Sequence, residues 1–448
     1  KYSGAGVALW TNLYNGPGNS YDYALDTAVD GSGNVFVTGS SIGSNGGNDF
    51  ATIKYSGEGV ALWTNRYAGP GNGSDSGRAV AVDGSGNVVV TGRSLGSGSS
   101  TDYATIAYSG AGVALWTNRY NGPGNNSDLT EAVAVDGSGN VFVTGWSTGI
   151  GSSFDYATIA YSGAGVSLWT NRYNGPGNSD DIAYAVAVDG SGNVFVTGFS
   201  IGFASFADYA TIKYSGAGVA LWTNRYNGPA TGNSYDQAKA VAVDNNGNVF
   251  VTGYSTGIGS SDDYATIKIS GAGMTLWTNR YNGPGNSTDQ AKAVAVDGSG
   301  NVVVTGRSYD TNGYYDYAAI AYSGAGVALW TNLYNGPGNS DDYAQAVAVD
   351  GSGNVVVTGQ STGIGSSYDF ATLKYPAIPP SLTVARTTEN TVVLSWPSPS
   401  TGFTLQSTTN LVSPAVWNTN HPAPVVINGQ NSVTNPISGT QQFFRLSQ

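Results

Sequence analysis

Two positions in this chain change residue type from copy to copy of a repeat, while the sequence around them stays almost constant. One lies five residues before the Asp of a recurring Ala-Val-Asp segment and holds Leu25, Arg78, Glu131, Tyr184, Lys239, Lys292 and Gln345. The other follows a recurring Thr-Gly pair and holds Ser40, Arg93, Trp146, Phe199, Tyr254, Arg307 and Gln360. Aromatic rings stack on sugars, and charged or amide side chains bond sugar hydroxyls. The two sets predict a ligand-binding face, with carbohydrate as the first ligand class. Drift at exposed positions is the alternative.

A carboxylate also recurs eight residues before each of those Asp residues, as Asp22, Asp75, Asp128, Asp181, Asp236, Asp289 and Asp342. A calcium ion needs six to eight oxygen ligands, which one carboxylate per loop does not supply. We therefore expect these residues to accept hydrogen bonds in turns, and a calcium site is the minority alternative. The recurring Asp-Gly-Ser-Gly-Asn turns are interpreted in the same way.

Catalytic residues are scarce in the sequence. The chain has no Cys and one His, His421, which excludes thiolate chemistry and leaves no Ser/His/Asp set within the repeats. Two carboxylates can cleave a glycosidic bond, but most acidic residues here recur in every copy, which favours a structural role. We expect a protein that is not an enzyme. A polysaccharide-acting enzyme that uses Glu131 is the alternative.

The elements that position these residues follow from the repeat. Leu-Trp-Thr-Asn occurs seven times, and five of the six intervals between its Trp residues are 53 residues. One copy contains four short runs in which β-branched or aromatic residues alternate with small or polar ones, separated by Gly-rich turns. This pattern predicts an all-β, seven-bladed β-propeller of four-stranded antiparallel blades. The Leu-Trp pairs are interpreted as core.

Ring closure is also expected from the order of the runs. The first Leu-Trp run, Val7 to Asn12, has no preceding strand of its own blade, and the last run, Asp369 to Tyr375, has no following one. We predict that the N-terminal strand completes the last blade, which would remove two exposed sheet edges.

The segment Ala28–Gly39, Ala-Val-Asp-Gly-Ser-Gly-Asn-Val-Phe-Val-Thr-Gly, has near-copies in every repeat and resembles the SBBP repeats of bacterial secreted and surface proteins. The resemblance covers residues 1–375. It implies a β-propeller and an extracellular or cell-surface location in a bacterium. It implies no catalytic residues, because the family has no shared catalytic motif.

Periodicity stops after Tyr375, where Pro-rich residues 376–380 predict a stiff linker. Residues 381–448 contain five strand-like runs, which predict a small β-sandwich. The run from Val392 to Trp396 resembles fibronectin type III modules, and Trp396 is interpreted as core. His421 is expected to be a solvated loop residue.

The formal net charge of −12 argues against nucleic acid and anionic membranes as partners, and no run of 18 apolar residues suggests membrane insertion. The leading hypothesis is a non-enzymatic extracellular binding or adhesion protein whose partner is a glycan or a surface protein. The second hypothesis is a self-associating structural subunit of a surface layer or filament.

Overall fold

The structure, a computed structural model, describes the chain apart from residues 45, 72, 99, 204–205, 231–233, 377–381, 389–390, 398–402, 413–414, 420, 428–429, 437–440 and 448. Within the described residues the fold is all-β and contains no helix, in agreement with the sequence prediction. It follows that no described helix could span a membrane. The predicted linker lies largely outside the described residues.

The repeats form antiparallel sheets whose strands follow sequence order, numbered here as sheets 1 to 7. Sheet 1 contains β1 (Asp22–Val29), β2 (Val35–Ile42), β3 (Asn48–Tyr55) and β4 (Ala61–Tyr67). Sheet 2 contains β5 (Asp75–Val82), β6 (Val88–Leu95), β7 (Thr101–Tyr108) and β8 (Ala114–Tyr120). Sheet 3 contains β9 (Asp128–Val135), β10 (Val141–Thr148), β11 (Phe154–Tyr161) and β12 (Ser167–Tyr173). Sheet 4 contains β13 (Asp181–Val188), β14 (Val194–Ile201), β15 (Ala207–Tyr214) and β16 (Ala220–Tyr226).

The remaining repeats continue the series. Sheet 5 contains β17 (Asp236–Val243), β18 (Val249–Thr256), β19 (Asp262–Ile269) and β20 (Thr275–Tyr281). Sheet 6 contains β21 (Asp289–Val296), β22 (Val302–Tyr309), β23 (Tyr315–Tyr322) and β24 (Ala328–Tyr334). Sheet 7 has three described strands, β25 (Asp342–Val349), β26 (Val355–Thr362) and β27 (Tyr368–Tyr375). The four-stranded antiparallel sheets are propeller blades.

The described chain divides into two compact units. The first comprises Lys1–Ala293 with Ser308–Gly313, and the second comprises Val294–Arg307 with Tyr314–Gln448. In the first unit the initial strands of consecutive sheets, β1, β5, β9, β13 and β17, pack against one another. The initial strand is therefore the inner edge of each blade, where small residues such as Ala79 fit between neighbours.

The core of the first unit lies between consecutive sheets. One cluster joins Phe36 and Phe50 of sheet 1 to Val90 of sheet 2, and all three are at most 1% exposed. Equivalent clusters join the later sheets. A large aromatic residue from one blade thus fills the gap that twist opens beside the small residues of the next.

In the Leu-Trp pairs, which were predicted to be core, the Trp residue packs against the core but the Leu residue is exposed. The indole Nε1 of Trp63 donates a hydrogen bond to the Gly110 carbonyl of the next blade at 3.2 Å, and the ring packs against the inter-blade core. Leu62, however, is 51% exposed, and the other six Leu residues of these pairs are also exposed. The core interpretation is wrong for Leu, because the last strand is the outer edge and only one of its faces meets a neighbour.

The C-terminal residues form two small sheets. Their strands are β28 (Thr383–Thr388), β29 (Thr391–Pro397), β30 (Thr404–Thr408), β31 (Val425–Ile427), β32 (Gln430–Pro436) and β33 (Phe443–Ser447). One sheet has the order β28-β29-β32-β31, and the other pairs β30 with β33. Leu394, Trp396, Leu405 and Val433 form the shared core. Strand β32 was missed in the sequence, because its residues are mostly polar.

Candidate functional site

The variable residue of each inner strand occupies a β-bulge. In sheet 2, Gly77 pairs with Gly92 and Ala79 pairs with Thr91, so that Arg78 has no partner in the ladder. The same irregularity occurs at Leu25, Glu131, Tyr184, Lys239 and Gln345. A bulge adds one residue to a strand and turns its side chain out of the regular alternation. The variable side chains are thus displayed by a repeated backbone device that periodicity alone did not reveal.

The recurring Thr-Gly pair makes room for this bulge. A Cβ on Gly92 would lie 2.0 Å from the backbone oxygen of Ser76 in the facing strand. The equivalent Gly145 and Gly198 are equally close to a facing carbonyl, at 2.0 Å and 1.9 Å. Only Gly tolerates such an approach of two backbones. The recurring Gly therefore allows the backbone to form the bulge that carries the variable residue.

Bulge residues of consecutive sheets contact one another in the first unit. Arg78 Nε donates a hydrogen bond to Glu131 Oε2 at 3.0 Å, and a terminal nitrogen of the same guanidinium lies 2.9 Å from that oxygen in an ion pair. The Lys239 Nζ lies 3.6 Å from the centroid of the Tyr184 ring and donates to Gln237 Oε1 at 2.9 Å. These contacts place the bulge side chains in one row along the inner edge.

Burial shifts the pKa values of Lys239 and Tyr184, which both belong to this row. Desolvation and the neighbouring ammonium of Lys292 together lower the pKa of Lys239 to about 7, although the carboxylate of Glu131 opposes both effects. Burial raises the pKa of the Tyr184 phenol to about 12, with Glu131 adding to the shift. Lys239 therefore changes charge near neutral pH.

The second variable set lies beside the first. The Lys239 Nζ is 5.5 Å from the Tyr254 ring centroid, and the rings of Tyr184 and Phe199 are 6.0 Å apart. The structure thus unites two residues from each set, as the sequence-based hypothesis of a shared face requires. The Trp146 ring instead packs against Phe154, tilted by 51° with the ring centroids 4.2 Å apart, while Arg93 is exposed and Ser40 is buried.

The second unit contains a separate cluster. The Arg307 guanidinium lies 4.5 Å from the Tyr315 ring centroid and 5.3 Å from that of Tyr343. Gln360 pairs with Tyr343 across β25 and β26, and Gln345 is exposed at its bulge. Stacked Arg and Tyr side chains present a flat amphipathic surface.

The seven Asp residues considered for calcium support the loops that precede the inner strands. Asp75 accepts the Gly69 N–H at 2.7 Å and the Leu95 N–H at 3.1 Å. Asp22, Asp128, Asp181, Asp236, Asp289 and Asp342 accept an equivalent Gly N–H. Burial raises the pKa of Asp181 to about 6. Among the described residues no three His, Cys, Asp or Glu side chains are grouped as a metal site would require.

The other recurring Asp residues also have structural roles, as hydrogen-bond acceptors in turns or as ion-pair partners. Asp83 accepts backbone N–H groups from Ser85 and Asn87 at 2.8 Å, as predicted for a turn held by Asp. Asp208 instead pairs with Arg225 at 2.7 Å, and Arg225 also donates to Tyr173 of the preceding blade. This Arg set, which ties blades together, was not singled out in the sequence, although the recurring Trp-Thr-Asn-Arg-Tyr segment contains it.

His421 differs from the sequence expectation. It is half-buried, and its Nδ1 lies 2.8 Å from the Asn435 amide nitrogen. It lines a cavity of about 230 Å³ together with Trp396 and Leu405. His421 lies in a loop as expected, but the expectation of a solvated side chain is wrong, because the unpredicted strand β32 carries Asn435 beside it.

Two solved structures resemble parts of this chain at low sequence identity. One is the β-propeller domain of the Trilobed protease from Pyrococcus furiosus, which is described as having an open velcro topology (8% identity, TM-score 0.43, 79% of this chain and 96% of that one). The other is a putative gluconolactonase (10% identity, TM-score 0.32, 63% of this chain and 86% of that one). Both likenesses concern the fold alone. No curated protein matches the sequence.

The expectation that the protein is not an enzyme requires correction. It was inferred from a propeller scaffold without a recognisable catalytic motif. A structure that resembles this chain is itself described as a putative gluconolactonase, so that inference is wrong as an exclusion. At 10% identity and a TM-score of 0.32, the likeness assigns no activity to this chain.

The sequence comparison with protein families agrees with the repeat and the blade structure. Residues 168–205 and 222–259 match the SBBP family, which is described as a beta-propeller repeat. These residues span the outer strand of one sheet and the inner two strands of the next, twice in succession. The chain therefore contains two segments that match the SBBP beta-propeller repeat.

Proposed function

We propose that the protein binds carbohydrate at the bulge row, in the extracellular space or at the surface of a bacterial cell. The observation that carries this proposal is the cluster of Tyr184, Lys239 and Tyr254, contributed by sheets 4 and 5. Two half-buried aromatic rings flank one amine there.

The chemistry of the cluster suits a sugar. The apolar faces of pyranose rings pack on Tyr, while hydroxyl groups exchange hydrogen bonds with the amine, the Gln237 amide and the phenols. Variation is concentrated at the bulge and the neighbouring strand position, as expected where a repeat scaffold carries a binding surface.

Glycan binding is tested by screening the full chain on immobilised glycans and measuring hits by calorimetry. Tyr184→Ala should weaken binding about tenfold or more, because a contact of about 1–2 kcal/mol is lost. Tyr2→Ala is the control, since Tyr2 is 56% exposed in the N-terminal segment, away from both variable sets. Absence of any glycan ligand, or equal effects of both changes, would refute the proposal.

We also propose that seven blades close into a ring, completed by the N-terminal segment. Trp10 Nε1 donates to the Gly57 carbonyl at 3.0 Å and Asn12 donates to the Gly59 carbonyl at 2.7 Å. Trp63 and Asn65 make the same two bonds to the following blade. Relative to sheet 1, the segment around Trp10 thus takes the position of a preceding outer strand.

Closure is tested with Thr11→Cys and Leu373→Cys in one chain, which the repeat register would place opposite each other. The chain has no other Cys, so that any disulfide reports this pair. An intramolecular disulfide in a monomer supports closure. Disulfide-linked oligomers would indicate that the strand is exchanged between chains, and a free pair of thiols would contradict closure.

One observation favours the structural-subunit hypothesis as a second candidate. Val60, just before the outer strand of sheet 1, and Leu62 within it are 61% and 51% exposed, and every four-stranded blade has an equivalent apolar pair. Repeated apolar surface on edge strands favours lateral association. Light scattering should then show oligomers that Leu62→Ser with Leu115→Ser disperses, whereas a monomer at high concentration would exclude this candidate.

A further inference from the structure

The basic residues of the repeats fall into three groups. Five Arg residues occupy the outer strand and pair with a buried Asp in their own blade: Arg66, Arg119, Arg172, Arg225 and Arg280. Five Lys residues share one repeat position next to the Gly-rich turn: Lys1, Lys54, Lys213, Lys268 and Lys374. The remaining five are Arg78, Arg93, Lys239, Lys292 and Arg307, and all of them occupy the two variable positions.

Among charged residues, the two variable positions contain mostly basic side chains. The chain carries 29 acidic and 17 basic residues, yet Glu131 is the one acidic residue in the two variable sets. Every basic residue of the repeats that lacks a recurring structural position therefore occupies one of the two variable positions. A positive site within an acidic protein focuses anions toward that site.

Lys239 and Lys292 form the centre of this positive region. Lys239 occupies the bulge of sheet 5 and Lys292 the equivalent repeat position in β21, and the two ammonium groups of the same sign repel each other. The carboxylate of Glu131, in sheet 3, accepts a hydrogen bond from Arg78 and forms an ion pair with it. A bound anion near the two lysines would relieve their repulsion.

We propose that Lys239 and Lys292 bind a carboxylate group of an acidic saccharide, while Tyr184 and Tyr254 contact its rings. This inference rests on the proposed carbohydrate binding and names the class of sugar. Uronic acids combine an apolar ring face with a carboxylate, which matches two aromatic rings flanking an amine. The exposed Arg93 adds positive charge in the second variable set.

The probe pair is tri-galacturonate and its methyl ester, which have the same rings and differ in charge. Calorimetry on the full chain at pH 6.5 and low salt should show the acid form binding at least tenfold tighter than the ester, as expected for a charge-assisted contact. The preference should shrink as salt increases. It should also shrink above pH 7, because burial lowers the pKa of Lys239 to about 7.

Substitutions of Lys239 and Lys292 test whether the preference for the acid over the ester arises at these two residues. Lys239→Gln and Lys292→Gln should each reduce the preference for the acid about tenfold, while leaving the binding of the ester nearly unchanged. Arg386→Gln removes the same charge from the exposed surface of β28 and serves as the matched control. If Arg386→Gln reduces the preference equally, the effect is one of net charge and the proposed site is wrong.

The outcomes separate this inference from the proposed function. If the ester and neutral glycans bind at the Tyr184 face as tightly as the acid does, carbohydrate binding stands and the carboxylate site is overturned. If no saccharide binds, acetate is tested for its ability to raise the titration midpoint of ¹³C-methylated Lys239. A raised midpoint would keep the anion site and refute carbohydrate binding, whereas an unchanged midpoint overturns both.

Discussion

The Lys239 ammonium nitrogen lies 3.6 Å from the centroid of the Tyr184 ring, which joins the bulge of sheet 5 to that of sheet 4. Neither residue belongs to the repeated pattern, and the pairing exists because both side chains project from equivalent bulges on adjacent inner strands. The contact places a partly desolvated amine against an aromatic face, where a cation–π attraction offsets part of the cost of burying its charge.

Lys239 should give the stability of the fold a defined pH dependence. Its folded-state pKa of about 7 lies below the ordinary value of 10.5, so that the unfolded chain binds more protons between these pH values. The free energy of unfolding attributable to this residue therefore rises as the pH increases from about 7 toward 10.5, and it is constant below 7. Lys239→Met should remove this dependence.

The measurement is denaturant unfolding of the native chain and of Lys239→Met at pH 6 to 9. The difference in unfolding free energy between the two proteins should change with pH above 7. Lys213→Met provides a comparison, because Lys213 bonds the Gly271 carbonyl at a recurring position. A pH-independent difference for Lys239→Met would show that its amine is well solvated.

Asp181 should tolerate replacement by Asn better than by Ala. Burial raises its pKa from 3.8 to about 6, so that the folded chain binds more protons than the unfolded chain between these values. Its contribution to stability therefore decreases as pH rises from about 4 to 6, and a neutral carboxamide avoids this loss. Asn also keeps an acceptor for the Gly175 N–H, which Ala removes.

Thermal and denaturant unfolding at pH 7 test this pair of substitutions. Asp181→Ala should cost about 1–3 kcal/mol, since a buried N–H loses its acceptor, whereas Asp181→Asn should be near neutral or stabilising. At pH 4 the native chain and Asp181→Asn should become closer in stability. A large loss for Asn at pH 7 would mean that the ionised carboxylate is required, as a bound cation would require.

Arg225 should contribute to stability by joining two blades. It pairs with Asp208 at 2.7 Å and donates to Tyr173 of the preceding sheet at 3.1 Å. Arg225→Leu should destabilise by about 2–4 kcal/mol, because the buried carboxylate of Asp208 is left without its cation. The equivalent residue of sheet 6 is Leu333, so the fold accommodates Leu at this position.

A double variant separates charge from packing in this prediction. Arg225→Leu with Asp208→Asn should recover part of the lost unfolding free energy, since no uncompensated charge then remains. If the double variant is as unstable as the sum of the two single variants, the ion pair is not the source of the effect.

The sequence predicted the blades and the site to different extents. A repeat of 53 residues with alternating strands specifies sheets, because burying each blade's apolar face requires a neighbour of the same kind. It did not specify the exposure of Leu62, since alternation shows which residues share a face but not whether a neighbour covers that face. The mostly polar strand β32 was missed for a related reason, as its pairing depends on long-range contacts.

The candidate site was predicted as a list of positions without its geometry. Variation at residue 78 and its equivalents marks the position that the structure places at a bulge, yet the bulge follows from a close backbone approach that no side-chain pattern encodes. The aromatic contacts of Lys239 likewise depend on which blades are adjacent. The division of the basic residues between recurring and variable positions is visible in the sequence itself.

Gly92→Ala should distort the bulge that displays Arg78. The added Cβ would lie 2.0 Å from the Ser76 carbonyl oxygen, so that the two inner strands would have to separate. The expected cost is about 1–3 kcal/mol of unfolding free energy, measured by denaturant titration. Gly84→Ala is the matched control, because no atom lies within 4 Å of its added Cβ, and its effect should stay within about 0.5 kcal/mol.

Crystal structures of the two variants would then show Arg78 displaced from Glu131 only in Gly92→Ala. An unchanged Arg78–Glu131 contact in a stable Gly92→Ala protein would mean that the Gly residue is not what maintains the bulge.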